Sequence, residues 1–407
     1  MSEDSSNGIS GPFRSPTRVH FGAGVFERLP QILQQAVARS LHRVDVAAAS
    51  GSVLLVYDRG LAATPWPTAA QRLLKDAGWG VEHFDGVENN PRGDTVDAAT
   101  EQARRAGVAA VVGLGGGSVL DAAKAVALLA ARGGTVTEAA AGGRVATASL
   151  PFVAVPTTCG TGSEVTWVSV ISIPQDGVKI SLKGDGMFPA AAVVDPDVLR
   201  SLPRGLVAST ALDAMTHALE ATTGRLANPV SDVLAREAIA GIFRWLRQGA
   251  ANIAEDGEAR QGLLYASTIA GLAFGSSDVG AVHCLSESLG GLYDVPHGLA
   301  NALLLAPTMR AHGDSVTSTL ASLADCVGAS EGKAGAAAGG SEEERAEAFL
   351  QGVESLVEDL ELPPFSSLGV PAGREDLICR MAVANGSNSS NPRPMGEAEY
   401  REILARL

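Results

Sequence analysis

The stretch Ala109-Ala-Val-Val-Gly-Leu-Gly-Gly-Gly-Ser118 decides the fold class of this 407-residue chain. Its apolar first half, without alternation, is typical of a parallel strand that is covered on both faces. Glycines follow, and Val119–Leu129 then has a helical pattern. Such a turn lets the backbone approach a pyrophosphate, which the first N–H groups of the helix can bind. The spacing is neither GxGxxG nor GxxxxGK, and tight-turn packing alone would also explain the glycines.

Strands and helices alternate on both sides of this turn. Strand-like runs lie at Val53–Tyr57, Gly80–Phe84 and Phe152–Val155, and helical patterns separate them. The alternation predicts an open parallel α/β sheet, of which we expect Phe152–Val155 to be the last strand.

The pattern changes after about residue 200, where period-two runs of β-branched residues are absent. Helices are predicted at 205–222, 228–249, 257–274, 278–290, 298–311, 315–327, 342–360 and 373–384. The sequence therefore predicts an α/β N-terminal domain at 17–200 and an all-α C-terminal domain at 201–407. The polar residues 1–16 are expected to form a disordered leader.

The composition limits the classes of function. A formal net charge of −14 argues against a nucleic-acid partner, because phosphate binding needs a basic surface. The four cysteines form no CxxC pair, which favours a reducing compartment. The N-terminal residues show no signal-peptide pattern, and no apolar run has the length of a membrane span. We therefore expect a cytoplasmic protein without a membrane partner.

Asp58 directly follows the Val53–Tyr57 strand. An acidic side chain there can accept hydrogen bonds from a ribose diol and repel a 2′-phosphate, which predicts NAD rather than NADP as the cofactor. A turn-forming or helix-capping Asp explains the position equally well. The later run Pro156–Thr166, PTTCGTGSEVT, offers hydroxyls and glycines that can wrap a phosphate or a sugar, although an ordinary loop can have the same composition.

Two segments of the second half carry a candidate metal site. Asp213 and His217 are spaced i and i+4, which places both side chains on one face of a helix. His283 and His297, on another segment, could complete a shell of one carboxylate and three imidazoles. These ligands suit iron(II) or zinc. Each residue alone could be an ordinary helix-surface or turn residue, but that explanation is poor for all four together.

These segments belong to a set of motifs that occur in one order along nearly the whole chain. The motifs are GGGSxxDxxKA, PTTxGTGSEVT, AAVVDPDVL, DAMTHALE and HxxxxxxGGxYxxPHGxxNA. The set resembles the iron-containing (group III) alcohol dehydrogenase family. The resemblance implies an active site in the cleft between an α/β dinucleotide-binding domain, residues 17–200, and a helical metal-binding domain, residues 201–407. It also implies reversible hydride transfer between a small primary alcohol or diol and NAD, in a homodimer or a higher homo-oligomer.

Carried over residue by residue, the resemblance implies a metal site and a cofactor site. The metal ligands fall on Asp213, His217, His283 and His297. The expected ion is Fe²⁺, with Zn²⁺ as the alternative. The positions expected to bind NAD are Asp58, Asn90, Gly115, Gly116, Gly117, Ser118, Thr157, Thr158, Thr166, Lys179 and Leu199.

One position departs from the family pattern. Four residues after His283 the family usually carries a further histidine near the nicotinamide, and this chain has Glu287. Glu287 could relay protons as a catalytic residue, or it could select the substrate by charge. It could also be a neutral replacement, with water as the relay. The sequence leaves these three roles open.

Two rival enzyme classes share parts of the pattern. Metal-independent enzymes resembling the maleylacetate reductases share the GGGS and a related PTT segment, but their ligand region departs from the DAxxH and PHG pattern kept here. Enzymes resembling the dehydroquinate synthase lyases or the polyol-phosphate dehydrogenases need several Lys or Arg to hold phosphate or carboxylate. Segments 213–220 and 283–298 contain neither residue type. A non-catalytic protein is disfavoured because all the metal and cofactor positions are retained.

Overall fold

The computed structural model describes residues 12–40, 51–143, 149–330 and 340–407. Of the leader predicted for residues 1–16, residues 1–11 lie outside the described residues. Residues 12–16 have no regular secondary structure, and Arg14 among them forms an ion pair of 2.8 Å with Asp185.

A parallel sheet forms the centre of the first half. The strands in chain order are β1 (Arg18–Phe21), β2 (Ser52–Asp58), β3 (Gly80–Val87), β4 (Ala110–Gly115), β5 (Phe152–Pro156), β6 (Val168–Ile173), β7 (Val178–Lys183) and β8 (Ala191–Val194). Six of them pair in the spatial order β1-β8-β5-β4-β2-β3, and every pairing is parallel. Strands β4 and β5 are buried at every residue, which explains their unbroken apolar runs.

The expectation that Phe152–Val155 is the last strand of the sheet is wrong. Strand β8, the AAVV of the AAVVDPDVL motif, inserts between β1 and β5. Its four small residues give too short an apolar run for periodicity to identify a strand.

An antiparallel hairpin, β6–β7, lies outside the main sheet and is absent from the sequence-based expectation. Its strands read VSVISI and VKISLK. The hairpin packs against the helix that follows the glycine turn. Val170 N donates to the Asp121 carboxylate at 2.9 Å, and Ser169 Oγ donates to the backbone O of Asp121 at 2.8 Å. The hairpin thereby holds Lys179 beside the cleft.

Helices cover the sheet, and in the described residues from 204 onward all the regular elements are helices. They are α1 (Leu29–Ser40), α2 (Arg59–Ala62), α3 (Pro65–Asp76), α4 (Gly93–Ala106), α5 (Gly117–Arg132), α6 (Val136–Ala141), α7 (Arg204–Thr223), α8 (Pro229–Asn252), α9 (Gly257–Phe274), α10 (Ala281–Tyr293), α11 (His297–His312), α12 (Asp314–Ser330), α13 (Glu342–Asp359), α14 (Glu375–Ala384) and α15 (Glu397–Leu404). The predicted fold class is confirmed. The final helix α15 was not expected from the sequence.

Helix α7 is the central element of the helical half. Every residue from Ala211 to Thr223 is buried, so this helix has no solvent face over more than three turns. Helices α8, α9 and α11 surround it. In the described residues, none of the helices has both the length and the apolar character that crossing a bilayer requires.

Candidate active site

Three helices bring the predicted metal ligands together. Asp213 and His217 lie one turn apart on α7, His283 lies in the first turn of α10, and His297 begins α11. Asp213 Oδ1 is 3.7 Å from His297 Nε2, and His283 Nε2 is 3.0 Å from His217 Nε2. One ligand atom each of Asp213, His283 and His297 lies within 4.8 Å of the other two.

Burial sets the protonation of two of these imidazoles. It lowers the pKa of His217 to about 4 and the pKa of His297 to about 3. Both rings are therefore neutral near pH 7, and each keeps a lone pair that a metal ion can use. His217 also stacks on Phe274, with 4.2 Å between the ring centroids, which fixes its plane.

Two buried residues that the sequence reasoning did not single out complete this cluster. Asn301 Nδ2 lies 2.6 Å from Asp213 Oδ1 and 3.2 Å from His297 Nε2. Glu220 Oε2 lies 2.5 Å from His283 Nδ1. Burial is the largest single influence on the pKa of His283 and would lower it, but Glu220, together with Asp213 and Glu287, raises that pKa above its usual value. A signal was present in the sequence, because both residues lie inside quoted motifs, DAMTHALE and PHGxxNA, at helical spacing from a predicted ligand.

A cavity of about 420 Å³ connects the glycine turn with the histidine cluster. The predicted site residues that line it are Asn90, Gly117, Ser118, Thr166, Lys179, His217, Glu287, His283 and His297. Gly117 starts α5 where the turn meets the PTT loop, and a Cβ there would lie 2.3 Å from Thr161 Cγ2. The turn therefore needs glycine at this position to pack against that loop.

The remaining predicted cofactor residues are not among those that line this cavity: Asp58, Gly115, Gly116, Thr157, Thr158 and Leu199. Leu199 is fully buried in the core. Asp58 caps α2, since its Oδ1 accepts a hydrogen bond of 2.8 Å from Leu61 N. The helix-capping explanation of Asp58 is thus observed, and its role toward a ribose stays a prediction. Gly115 O accepts a hydrogen bond from Thr157 N at 3.0 Å, which ties the turn to the PTT loop.

Charged groups line the cavity beside the histidines. Lys179 Nζ donates to Asn90 Oδ1 at 2.8 Å, and Asn90 Nδ2 donates to Asp294 Oδ1 at 2.5 Å. Glu287 Oε2 accepts a hydrogen bond of 2.6 Å from Asn385 Nδ2. Burial lowers the pKa of Lys179, and Glu287 is the strongest opposing influence. No local pattern marks Asn385, because it lies 98 residues from Glu287 along the chain.

Sequence comparison matches both halves of the chain to known family descriptions. Residues 16–196 match "Iron-containing alcohol dehydrogenase", and residues 207–407 match "Fe-containing alcohol dehydrogenase family, C-terminal". The chain belongs to the iron-containing alcohol dehydrogenase family. The resemblance drawn from the motifs is thereby confirmed.

Members of this family that are similar to the chain include enzymes of small alcohols. A 1,3-propanediol dehydrogenase of Citrobacter freundii is 36% identical over 86% of this chain and 90% of its own length. An NAD-dependent methanol dehydrogenase of Bacillus methanolicus is 31% identical over 86% of this chain and 91% of its own length. A crystal structure of a 1,3-propanediol oxidoreductase superposes with a TM-score of 0.88 at 32% identity, covering 97% of this chain and 99% of that one.

Proposed function

We propose that this iron-containing alcohol dehydrogenase transfers a hydride reversibly between a small primary alcohol or diol and NAD, using Fe²⁺ or Zn²⁺. The observation that carries the proposal is the convergence of Asp213, His217, His283 and His297 at one end of a cavity whose other end is the GGGS turn. The relatives support it, since they include a 1,3-propanediol dehydrogenase and an NAD-dependent methanol dehydrogenase.

The four side chains fit a divalent ion of this kind. Three imidazole nitrogens and one carboxylate oxygen are the donor set that iron(II) and zinc accept. The Nε2 atoms of His217 and His283 face each other at 3.0 Å within this cluster. Two ring nitrogens at this separation can both be ligands of one ion. When bound, the metal ion supplies a Lewis acid and NAD supplies the hydride acceptor.

The protein's own groups would hold and orient the reactants. Asn301 donates to Asp213 Oδ1 and thereby fixes that carboxylate. Phe274 lies against His217 and lines the cavity, so it excludes water from one side of the site. At the other end, Gly117 and Ser118 present the start of α5, where backbone N–H groups and the helix dipole favour a pyrophosphate. We propose the remaining cofactor positions on the family pattern alone.

Glu287 is the residue that we propose for proton relay. It lines the cavity one turn beyond His283, and Asn385 fixes one of its carboxylate oxygens at 2.6 Å. The variant Glu287→Gln keeps the shape and removes the base, so we expect kcat to fall and KM for the alcohol to change little. If KM rises and kcat stays constant, Glu287 selects the substrate instead. If neither constant changes, water is the relay.

Metal analysis combined with NADH formation tests the function. The purified protein should contain about one Fe²⁺ or Zn²⁺ per chain, and it should reduce NAD with 1-propanol, methanol or 1,3-propanediol. Metal depletion and the variant His283→Ala should each abolish turnover, whereas the exposed His83→Ala is the matched control. Full activity after metal depletion would contradict the proposal and support chemistry resembling that of the maleylacetate reductases.

We also propose that the enzyme works in the cytoplasm as a homodimer or a multiple of it, with its domain boundary near residue 200. The gap between β8, which ends at Val194, and α7, which begins at Arg204, supports the boundary. The four cysteines, all among the described residues, form no disulfide, which fits a reducing compartment. Light scattering of the purified protein tests the assembly, and a monomer would contradict it.

A further inference from the structure

Glu220 is a buried carboxylate between two helices, and the proposed reaction does not use it directly. It lies one turn beyond His217 on α7, with 3% of its surface exposed. Its Oε1 accepts a hydrogen bond of 2.7 Å from Val282 N, in the first turn of α10. Its Oε2 lies 2.5 Å from His283 Nδ1. Both carboxylate oxygens are thus engaged by consecutive residues of α10.

This geometry determines which nitrogen of His283 carries a hydrogen. An ionised carboxylate is an acceptor, so the 2.5 Å contact requires a hydrogen on Nδ1. In the neutral ring, Nε2 is then left with its lone pair. That nitrogen points into the cluster, 3.0 Å from His217 Nε2 and 3.2 Å from Asn301 Nδ2.

The contact with Val282 fixes the carboxylate itself. Gly280 precedes α10 and offers no side-chain cap, so Glu220 supplies an acceptor to the first turn of that helix. A Cβ at Gly280 would lie 3.2 Å from Glu220 Oε1, so glycine at this position leaves room for the carboxylate. Because Glu220 and the ring of His283 are both buried, neither exchanges its partner for water.

We propose that Glu220 is a positioning residue that holds His283 as the Nδ1–H tautomer and presents its Nε2 to a divalent metal ion. The proposal rests on the metal site proposed above. Histidine ligands of metals commonly donate their other ring N–H to a carboxylate, and losing that partner costs about 10-fold to 100-fold in metal affinity.

The variant Glu220→Gln separates this role from simple helix capping. Val282 N and His283 Nδ1 both donate, and a carboxamide has one acceptor atom where the carboxylate has two. If the Gln oxygen keeps the backbone hydrogen bond, its NH₂ faces His283 Nδ1. The ring must then place its hydrogen on Nε2, which blocks the lone pair for the metal. The cap survives in this arrangement, but the metal site does not.

Metal affinity is the measurement that decides. Metal-depleted full-length protein is titrated with Zn²⁺ against a chromogenic chelator, and with Co²⁺ to record the visible absorption of the bound ion. We expect Glu220→Gln to bind Zn²⁺ about 10-fold to 100-fold more weakly and to show an altered Co²⁺ spectrum at saturation. Glu164→Gln is the matched control, since Glu164 is equally buried but accepts its side-chain hydrogen bond from Thr268, at 2.7 Å.

Three results would overturn the proposal. One is an affinity of Glu220→Gln within about twofold of the wild type, and another is equal weakening in Glu164→Gln. The third needs no variant: ¹⁵N spectra of histidine-labelled, metal-depleted wild-type protein that show His283 with hydrogen on Nε2 and none on Nδ1. This measurement decides the matter if Glu220→Gln does not fold. A wild-type protein that binds no divalent metal would instead refute the proposed function.

Discussion

Lys124 is the cation whose removal we expect to cost most stability. It lies in α5, about two turns after the helix begins at Gly117, and 1% of its surface is exposed. Its ammonium donates to Val168 O at 2.7 Å and to Ser163 Oγ at 3.0 Å, and it lies 3.8 Å from Asp121 Oδ1. These contacts join α5 to the hairpin that carries Lys179. The perturbation that tests them is Lys124→Met, which keeps the length of the side chain and removes its charge.

The expected loss of stability depends on the groups that remain when Lys124 is replaced. Asp121 would remain as a largely buried carboxylate, with Ser163 Oγ and Val170 N as its donors and no cation. Breaking a buried ion pair by removing one partner costs about 3–5 kcal/mol, whereas replacing both partners costs much less. We therefore expect Lys124→Met to lower the free energy of unfolding by about 3–5 kcal/mol. The double variant Asp121→Asn with Lys124→Met should lower it by less than the single variant does.

The contribution of Lys124 to the free energy of unfolding changes with pH in a defined direction. Burial lowers the pKa of Lys124 from 10.5 to about 8, against the opposing effect of Asp121. Between those two values the unfolded chain holds a proton that the folded chain has released. Stability therefore rises with pH in that window, by up to about 1.4 kcal/mol per pH unit. Lys124→Met lacks this contribution, so the gap between wild type and variant should widen from about pH 7 to about pH 9.5.

Urea unfolding followed by intrinsic fluorescence measures these differences at both pH values. The exposed Lys75→Met is the control, for which we expect a change within about 0.5 kcal/mol. The reasoning is refuted if Lys124→Met unfolds at the same urea concentration as the wild type. It is also refuted if the double variant is less stable than the single one, or if the gap narrows at high pH.

Three further perturbations test other parts of the site. Asp58→Asn keeps a helix-capping oxygen, so Tm should change little. It removes the negative charge, so the ratio of kcat/KM for NADP to kcat/KM for NAD should rise about tenfold. An unchanged ratio contradicts the role of Asp58 in cofactor choice. Gly271→Ala places a Cβ 2.7 Å from Gly162 Cα, so thermal unfolding should show a loss of about 1–3 kcal/mol, and an unchanged Tm would show that the contact adapts. Asn90→Asp sets a second carboxylate against Asp294, so KM for NAD should rise; a constant KM would show that this link does not shape the cofactor side of the cavity.

Local patterns were sufficient to predict the fold class. The unbroken apolar runs of β2, β4 and β5 identified buried parallel strands, and the i, i+4 pair on α7 placed Asp213 and His217 on one face. Strand β8 was not identified because four small residues carry too little periodicity. Its place between β1 and β5 depends on pairing between residues more than 35 positions apart, such as Val153 with Ala191.

The sequence was sufficient to predict those site residues whose role depends on their chemical type. It was not sufficient for residues whose role depends on contacts with distant parts of the chain. Histidine and aspartate at ligand spacing are visible in a sequence. The hydrogen bond between Glu287 and Asn385 joins residues 98 positions apart, and Asn90 meets Asp294 across 204 positions. No local pattern encodes such pairs. Asp58 shows the opposite difficulty, since one position fits a helix cap and a ribose partner alike, and the structure displays the cap.

The burial of α7 on all sides limits how this enzyme can be altered. Asp213, His217 and Glu220 share one helix, so inserting or deleting a single residue between them would rotate one relative to another by about 100°. Every position from Ala211 to Thr223 is buried, so any substitution there changes contacts with neighbouring side chains. New substrate preferences are therefore expected from less enclosed segments that line the cavity, such as the loop from Asn385 to Ser387. Directed evolution of this protein should leave α7 unchanged and vary that loop.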